Sequence, residues 1–245
     1  MDLNLKGKVA VVTGAGGGGI GTTLCSQLAQ EGACVVANDI DRSWADKVAA
    51  DLSAKGAKAV ASYADVAKLA DCQEMIRKAL DEFGKVDILI TIPARMDYGP
   101  FASYTPEQMH GQVDVTFWGV VNAVKAVLDH MIRQRSGSIV CMGSDSAKMA
   151  PAMETMYASS KAAIMTFASS LSKEIGRSQV RINVVNAALV RTPGQGPGME
   201  QAFAGNYPLG RLAESQEVVD AILFLASDRA SFVTGQTLSV NGGRL

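Results

Sequence analysis

A glycine-rich turn, Thr13-Gly14-Ala15-Gly16-Gly17-Gly18-Gly19-Ile20-Gly21, stands between a β-branched run from Lys8 to Thr13 and a stretch from Gly19 to Glu31 in which Ile20, Leu24 and Leu28 recur at helical spacing. Strand, glycine turn and helix follow one another in a few residues, and the unit then recurs. Further strands are predicted near Cys34 to Asn38, Ala59 to Tyr63, Val86 to Thr91, Ser138 to Met142, Arg181 to Val185 and Thr237 to Val240, with helices between most of them. Strands this continuously apolar, alternating with helices, are buried on both faces, as in parallel sheets. The pattern predicts an α/β fold: a doubly wound, Rossmann-like, mostly parallel sheet of seven strands with helices on both faces. At 245 residues and 48% hydrophobic, the chain can bury the core of such a sheet as a single domain, residues 1–245.

A formal net charge of −1, with both signs scattered, gives no electrostatic footprint for nucleic acid or an anionic membrane. Small-molecule partners are expected. Cys25, Cys34, Cys72 and Cys141 lack metal-ligand spacing and lie in or beside apolar stretches, which predicts no metal and suits a reducing compartment. The opening Met1-Asp2-Leu3-Asn4-Leu5-Lys6 lacks a signal-peptide pattern, and no apolar run approaches a membrane span, so a cytoplasmic location is expected. The stretch from Thr192 to Gly210 breaks the alternation with Pro193, Pro197, Pro208 and several glycines. It is expected to be a substrate loop or lid at about 192–212, with Met199 and Phe203 as its apolar face.

A glycine turn between strand and helix lets backbone amides and a helix N-terminus approach a pyrophosphate. Asp39 ends the second strand about twenty residues on, where a carboxylate accepts from ribose hydroxyls and repels a 2′-phosphate. NAD is therefore expected in preference to NADP, although Arg42 three residues later could accommodate a phosphate. Tyr157 and Lys161 are four residues apart in Tyr157-Ala158-Ser159-Ser160-Lys161, with Ser144 thirteen residues earlier. On a helix such a pair shares a face, and a neighbouring ammonium favours the ionised phenol.

These residues resemble the classical short-chain dehydrogenases/reductases over essentially the whole chain. The glycine turn (Gly14, Gly19, Ile20, Gly21) is similar to the family's nucleotide-binding signature, and Asp65-Val66 to its adenine-contacting pair. Ser144, Tyr157 and Lys161 match its catalytic serine, tyrosine and lysine. Val190-Arg191-Thr192-Pro193, and Thr234-Gly235-Gln236 through Asn241-Gly242-Gly243, also look like family segments, with Val190 and Thr192 expected beside the cofactor. Four departures stand out. The turn has four residues between Gly14 and Gly19 instead of three, Thr91-Ile92-Pro93-Ala94 replaces Asn-Asn-Ala-Gly, Ala187-Ala188 replaces Pro-Gly, and Thr116 aligns with the helical asparagine that helps to hold a relay water. Thr116 is either a relay hydroxyl or plain helix packing.

The resemblance implies an NAD-dependent oxidoreductase that interconverts a secondary alcohol and a ketone. Tyr157 would be the general acid/base, Ser144 would hold the substrate oxygen, and Lys161 would bind the nicotinamide ribose. A free phenol, with a pKa of roughly 10, needs help near neutrality, which the adjacent lysine and the positive nicotinamide ring would both give. Met96, Tyr98, Phe101, Met149, Met153, Met156, Met199 and Phe203 make the expected mouth apolar and adaptable, which favours a hydrophobic cyclic or aromatic substrate. Arg95 or Arg191 could instead bind an acidic group, and Glu154 could repel one. His110 and His130 are expected at the surface or an interface. A long helix from about Thr105 to Arg135, and the one around Tyr157, resemble elements with which family members form tetramers, so a homotetramer is expected. The alternative is a sensor or scaffold of the same fold, suggested by Thr116 and the altered segment after the fourth strand.

Overall fold

A computed structural model describes residues 2–192 and 196–244, with Pro197 by its backbone alone. In chain order the elements are β1 (Val9–Thr13), α1 (Ile20–Gln30), β2 (Cys34–Asn38), α2 (Arg42–Ala54), β3 (Ala59–Ser62), α3 (Leu69–Phe83), β4 (Ile88–Thr91), α4 (Pro106–Val113), α5 (Gly119–Gln134), β5 (Gly137–Met142), α6 (Ser146–Met149), α7 (Thr155–Ile175), β6 (Val180–Ala187), β7 (Val190–Arg191), α8 (Pro197–Phe203), β8 (Ala213–Glu214), α9 (Ser215–Ala226) and β9 (Thr237–Val240). Seven strands form one sheet in the order β3-β2-β1-β4-β5-β6-β9. Every pairing is parallel, as the doubly wound expectation required.

Because successive side chains point to opposite faces, each central strand supplies two cores. Ala10, Val12, Ile88, Ile90, Val140 and Val185 face the layer with Leu24 and Leu28 of α1 and Ile222 of α9. Val11, Leu89, Ile139, Cys141 and Val184 face the other, with Met75 of α3, Val124 of α5 and Ile164 of α7. Strand order reverses at β1, which pairs β2 on one side and β4 on the other, so a crevice opens at their C-terminal ends.

Two predicted elements differ. The single helix expected from about Thr105 to Arg135 is α4, a π-helical turn over Asp114–Trp118, and α5. The turn widens where Thr116 points inward and engages the backbone of Arg95. The segment expected as an irregular lid at about 192–212 contains α8 and a 3₁₀ turn over Ala204–Asn206, while residues 193–195 lie outside the described part. Its base is tied by the parallel pair β7–β8 and by Arg191, which bridges Glu200 of α8 and Glu214 of β8. His130 accepts from the Val86 amide at 3.2 Å, so it braces the start of β4 rather than sitting free at the surface.

Candidate active site

The crevice is built first by backbone. Gly14 leaves β1 in the left-handed region (φ 70°), with Pro93 of the altered segment packed against it: a Cβ here would lie 3.2 Å from the proline ring. The extra residue of the turn is absorbed by Gly17 and Gly18, at φ 78° and 72°, conformations that are open to glycine at little cost. A Cβ on Gly21 would collide with the Gly14 carbonyl oxygen, so α1 can start this close to the turn only with glycine there. No side chain caps α1 at Gly19, which leaves first-turn amides directed at the crevice. Ile20 is partly buried against the core, and Thr192 Cγ2 lies over the turn, 3.4 Å from a Cβ built on Gly19. Val190 is buried in β7 beneath it.

Asp39 follows β2 and accepts from the Gly16 amide through Oδ2 at 3.0 Å, so its carboxylate is held against the glycine turn. Its Oδ1 accepts from the Asp41 amide at 3.1 Å. Arg42 is turned away onto the ring of Tyr63, 4.7 Å from its centroid. Beyond β3, Asp65 accepts from the Ala67 amide and pairs with Lys68, and buried Val66 uses its carbonyl to accept from Asn122 of α5 at 3.0 Å. Asn122 is thereby engaged at this edge of the crevice. A cradle that any side chain would fill, uncapped helix amides and a carboxylate at the end of the second strand together fit the pyrophosphate and ribose of a dinucleotide.

At the ends of β5 and α7 the predicted trio comes together. Lys161 is buried, donates from Nζ to the Met142 carbonyl at 2.7 Å, and lies 5.7 Å from the centroid of the Tyr157 ring. Burial pushes its ammonium down to about 8. Burial likewise raises the Tyr157 phenol, a hydrogen bond with Ser144 lowers it, and Glu154 raises it further. Loss of solvent is the largest influence on the phenol, and the Lys161 ammonium is anchored on the Met142 carbonyl. Ser144 Oγ also accepts from the Ser146 amide at 3.2 Å, which orients the hydroxyl.

Thr116 is fully buried, and its hydroxyl accepts from the Arg95 amide at 3.0 Å and donates to the Arg95 carbonyl at 3.2 Å. Both bonds hold the loop after β4. Tyr157, Ser144, Met96, Tyr98, Met149, Met199 and Phe203 line one cavity of about 380 Å³ beside the crevice, together with Ala187 and Ala188. Met153 lies outside this lining: its backbone is left-handed (φ 68°), and its carbonyl accepts from the Gly99 amide and the Tyr104 hydroxyl. A larger cavity of about 470 Å³ opens at the opposite end of the strands, around Asp87, Arg135 and Arg181. It is remote from the trio, and ligands of open α/β sheets bind at the carboxyl ends of the strands. Sequence reasoning missed Asp145, Leu189 and Arg244 in the smaller cavity. Asp145 adjoins a singled-out serine, but Arg244 lies in no motif and reaches the site only through the return of the chain after β9.

Comparison with known proteins agrees with this geometry. The family model described as Enoyl-(Acyl carrier protein) reductase matches residues 14–244. A 2,3-dihydroxy-2,3-dihydro-p-cumate dehydrogenase of Pseudomonas putida is 34% identical, over 98% of this chain and 95% of that protein. A 2,3-dihydro-2,3-dihydroxybenzoate dehydrogenase of Bacillus subtilis is also 34% identical, over 98% and 96%. A solved 7α-hydroxysteroid dehydrogenase, complexed with NADH and 7-oxo glycochenodeoxycholic acid, superposes with a TM-score of 0.93 at 30% identity, covering 99% of this chain and 96% of that one. The glycine crevice, the seven parallel strands and matches of this length lead to one assignment: the chain belongs to the classical short-chain dehydrogenase/reductase family, oxidoreductases that bind a nicotinamide cofactor and act on CH–OH groups.

Proposed function

We propose that this protein is an NAD-dependent oxidoreductase that interconverts a secondary alcohol and a ketone on a hydrophobic, cyclic or aromatic substrate, with Tyr157 as general acid/base. The observation that carries the reading is the convergence of Tyr157 and Ser144 at one wall of an apolar cavity beside the glycine crevice, with buried Lys161 behind them at 5.7 Å from the Tyr157 ring centroid. The cofactor, when bound, supplies the hydride acceptor or donor. Ser144 holds the substrate oxygen by a hydrogen bond, and Tyr157 Oη takes the proton from that oxygen in oxidation or returns it in reduction. Lys161 places positive charge beside the phenol and binds the nicotinamide ribose. Thr116 is a positioning residue for the loop that carries Met96.

Support for NAD comes from Asp39, whose carboxylate stands at the turn where a 2′-phosphate would have to lie, and from the orientation of Arg42 away from that place. Support for a ring-bearing substrate comes from the methionine and aromatic lining, and from relatives named for dihydrodiols of p-cumate and benzoate and a relative solved with a steroid ketone. Absorbance at the reduced-nicotinamide band, with NAD or NADP and a panel of cyclic secondary alcohols, tests cofactor and substrate class together. In Tyr157→Phe turnover is expected to fall by at least about 10²-fold while NADH binding is retained. Unchanged turnover in that variant would remove Tyr157 from the chemistry, and no hydride transfer with any substrate would favour the sensor alternative.

A further inference from the structure

Arg244 lines the same cavity as Tyr157 and Ser144. It differs from the two arginines that the sequence singled out. Arg95 is paired with Asp97 at 3.0 Å, and Arg191 is paired with Glu200 and Glu214. Among the described residues no carboxylate lies within 4.0 Å of Arg244. Among the described residues its guanidinium hydrogen-bonds one side chain: Nη1 donates to the Tyr207 hydroxyl at 3.0 Å, and the guanidinium lies 5.0 Å from the Tyr207 ring centroid. Tyr207 is buried, and its oxygen also accepts from the Leu189 amide at 3.1 Å, so this support is itself immobilised. A guanidinium has five N–H donors in a planar fork, and one bond to a phenol leaves most of them available.

The acids in the same lining do not take up that capacity. Glu154 accepts from the Ser146 hydroxyl at 2.7 Å. Asp145 has both oxygens closed to solvent, and burial pushes its carboxyl upward, with Asn241, Lys148 and Arg244 drawing it back. A half-buried, pre-oriented guanidinium in a mostly apolar cavity is suited to forked recognition of a carboxylate.

We propose that Arg244 is a specificity-determining residue that binds a carboxylate on the substrate, so that the cavity takes a ring-bearing alcohol or ketone with an acid group away from the reacting carbon. The identity of the reacting group rests on the oxidoreductase reading above, whereas the recognition itself does not.

Isothermal titration calorimetry of the full chain, with and without NADH, against cyclohexanecarboxylate and its neutral counterpart cyclohexanecarboxamide tests the recognition directly. The acid is expected to bind at least about tenfold more tightly than the amide. Arg244→Gln should bring the two affinities together. Arg244→Lys keeps the charge but loses the fork, and should weaken acid binding by at least about threefold. Thermal melting verifies that each variant is folded, and if Arg244→Gln fails to fold, the wild-type preference and Arg244→Lys decide the matter. Equal affinity for acid and amide in the wild type, no saturable binding of the acid, or undiminished preference in a folded variant would overturn the proposal. NADH oxidation with 4-oxocyclohexanecarboxylate and a wider panel of cyclic ketones reads the chemistry separately: a chain that binds the acid through Arg244 but transfers no hydride to any of them would sink the oxidoreductase reading and leave the recognition standing.

Discussion

Lys161 shows how one side chain can be both costly and indispensable. Its ammonium is removed from solvent and held by a single carbonyl, and its folded-state pKa drops to about 8 from an ordinary 10.5. Between those values the unfolded chain binds more protons than the folded one, so the Lys161 contribution to stability rises as pH climbs from about 8 towards 10.5. The raised Tyr157 phenol and the thiols of Cys25, Cys72 and Cys141, pushed to about 12 by burial, have the opposite sign at high pH. Comparing wild type with Lys161→Met isolates the lysine. The urea midpoint of the variant, measured at pH 7.5 and 9.5, should gain less on alkalinisation than that of the wild type; equal gains would show that Lys161 is not buried as described. A lysine retained under that penalty is consistent with a role beside Tyr157, where its charge is wanted at one place.

Elements here are arranged around close backbone approaches. The glycine turn can carry an additional residue because Gly17 and Gly18 adopt left-handed backbone and project nothing into the crevice. At Gly21 the constraint is spatial, since α1 packs on the carbonyl of Gly14. Gly21→Ala should therefore destabilise the fold by about 1–3 kcal/mol and weaken NADH binding together. Denaturation midpoints and NADH fluorescence would register both, and a variant with wild-type values for each would contradict this packing. The π-helical turn at Asp114–Trp118 illustrates the converse. Its apolar periodicity is that of an ordinary helix, and the widening accompanies the bonds of Thr116 to Arg95, 21 residues away in the chain.

For the whole molecule, the parallel sheet leaves β9 at an edge, and apolar side chains remain exposed on and near it: Phe224 on α9, Leu238 on β9, and Phe232, which at 103% relative exposure touches almost nothing. Trp118, at the junction with α5, is also 48% exposed. Open edges and contiguous apolar surface are ordinarily covered in solution. We expect a homotetramer, for which light scattering should give about four times the 25.7 kDa chain mass. Phe232→Asp should shift the distribution to smaller species, whereas a monomeric wild type at micromolar concentration would refute the assembly. Among the described residues no helix is long and apolar enough to cross a membrane.

The alternation of doubly apolar strands with amphipathic helices determined the layered α/β architecture, because a strand buried on both faces has few other places to lie. The glycine turn, Asp39 and the Ser144, Tyr157 and Lys161 spacing were legible too, since each follows from local geometry: a turn, a strand end, one face of a helix. What only the tertiary structure decided depends on contacts between segments remote in the chain. Burial, set by the packing of α7 against β6 and its neighbours, raises the Tyr157 phenol, and no spacing in the sequence records that burial. Arg95 and Arg191 were drawn into ion pairs, while Arg244, which no local pattern marks, was carried by β9 into the cavity and fixed there by Tyr207. Sequence spacing specifies the face on which a side chain lies; which charges remain solvated, paired or free at a shared cavity depends on how the whole chain closes around it.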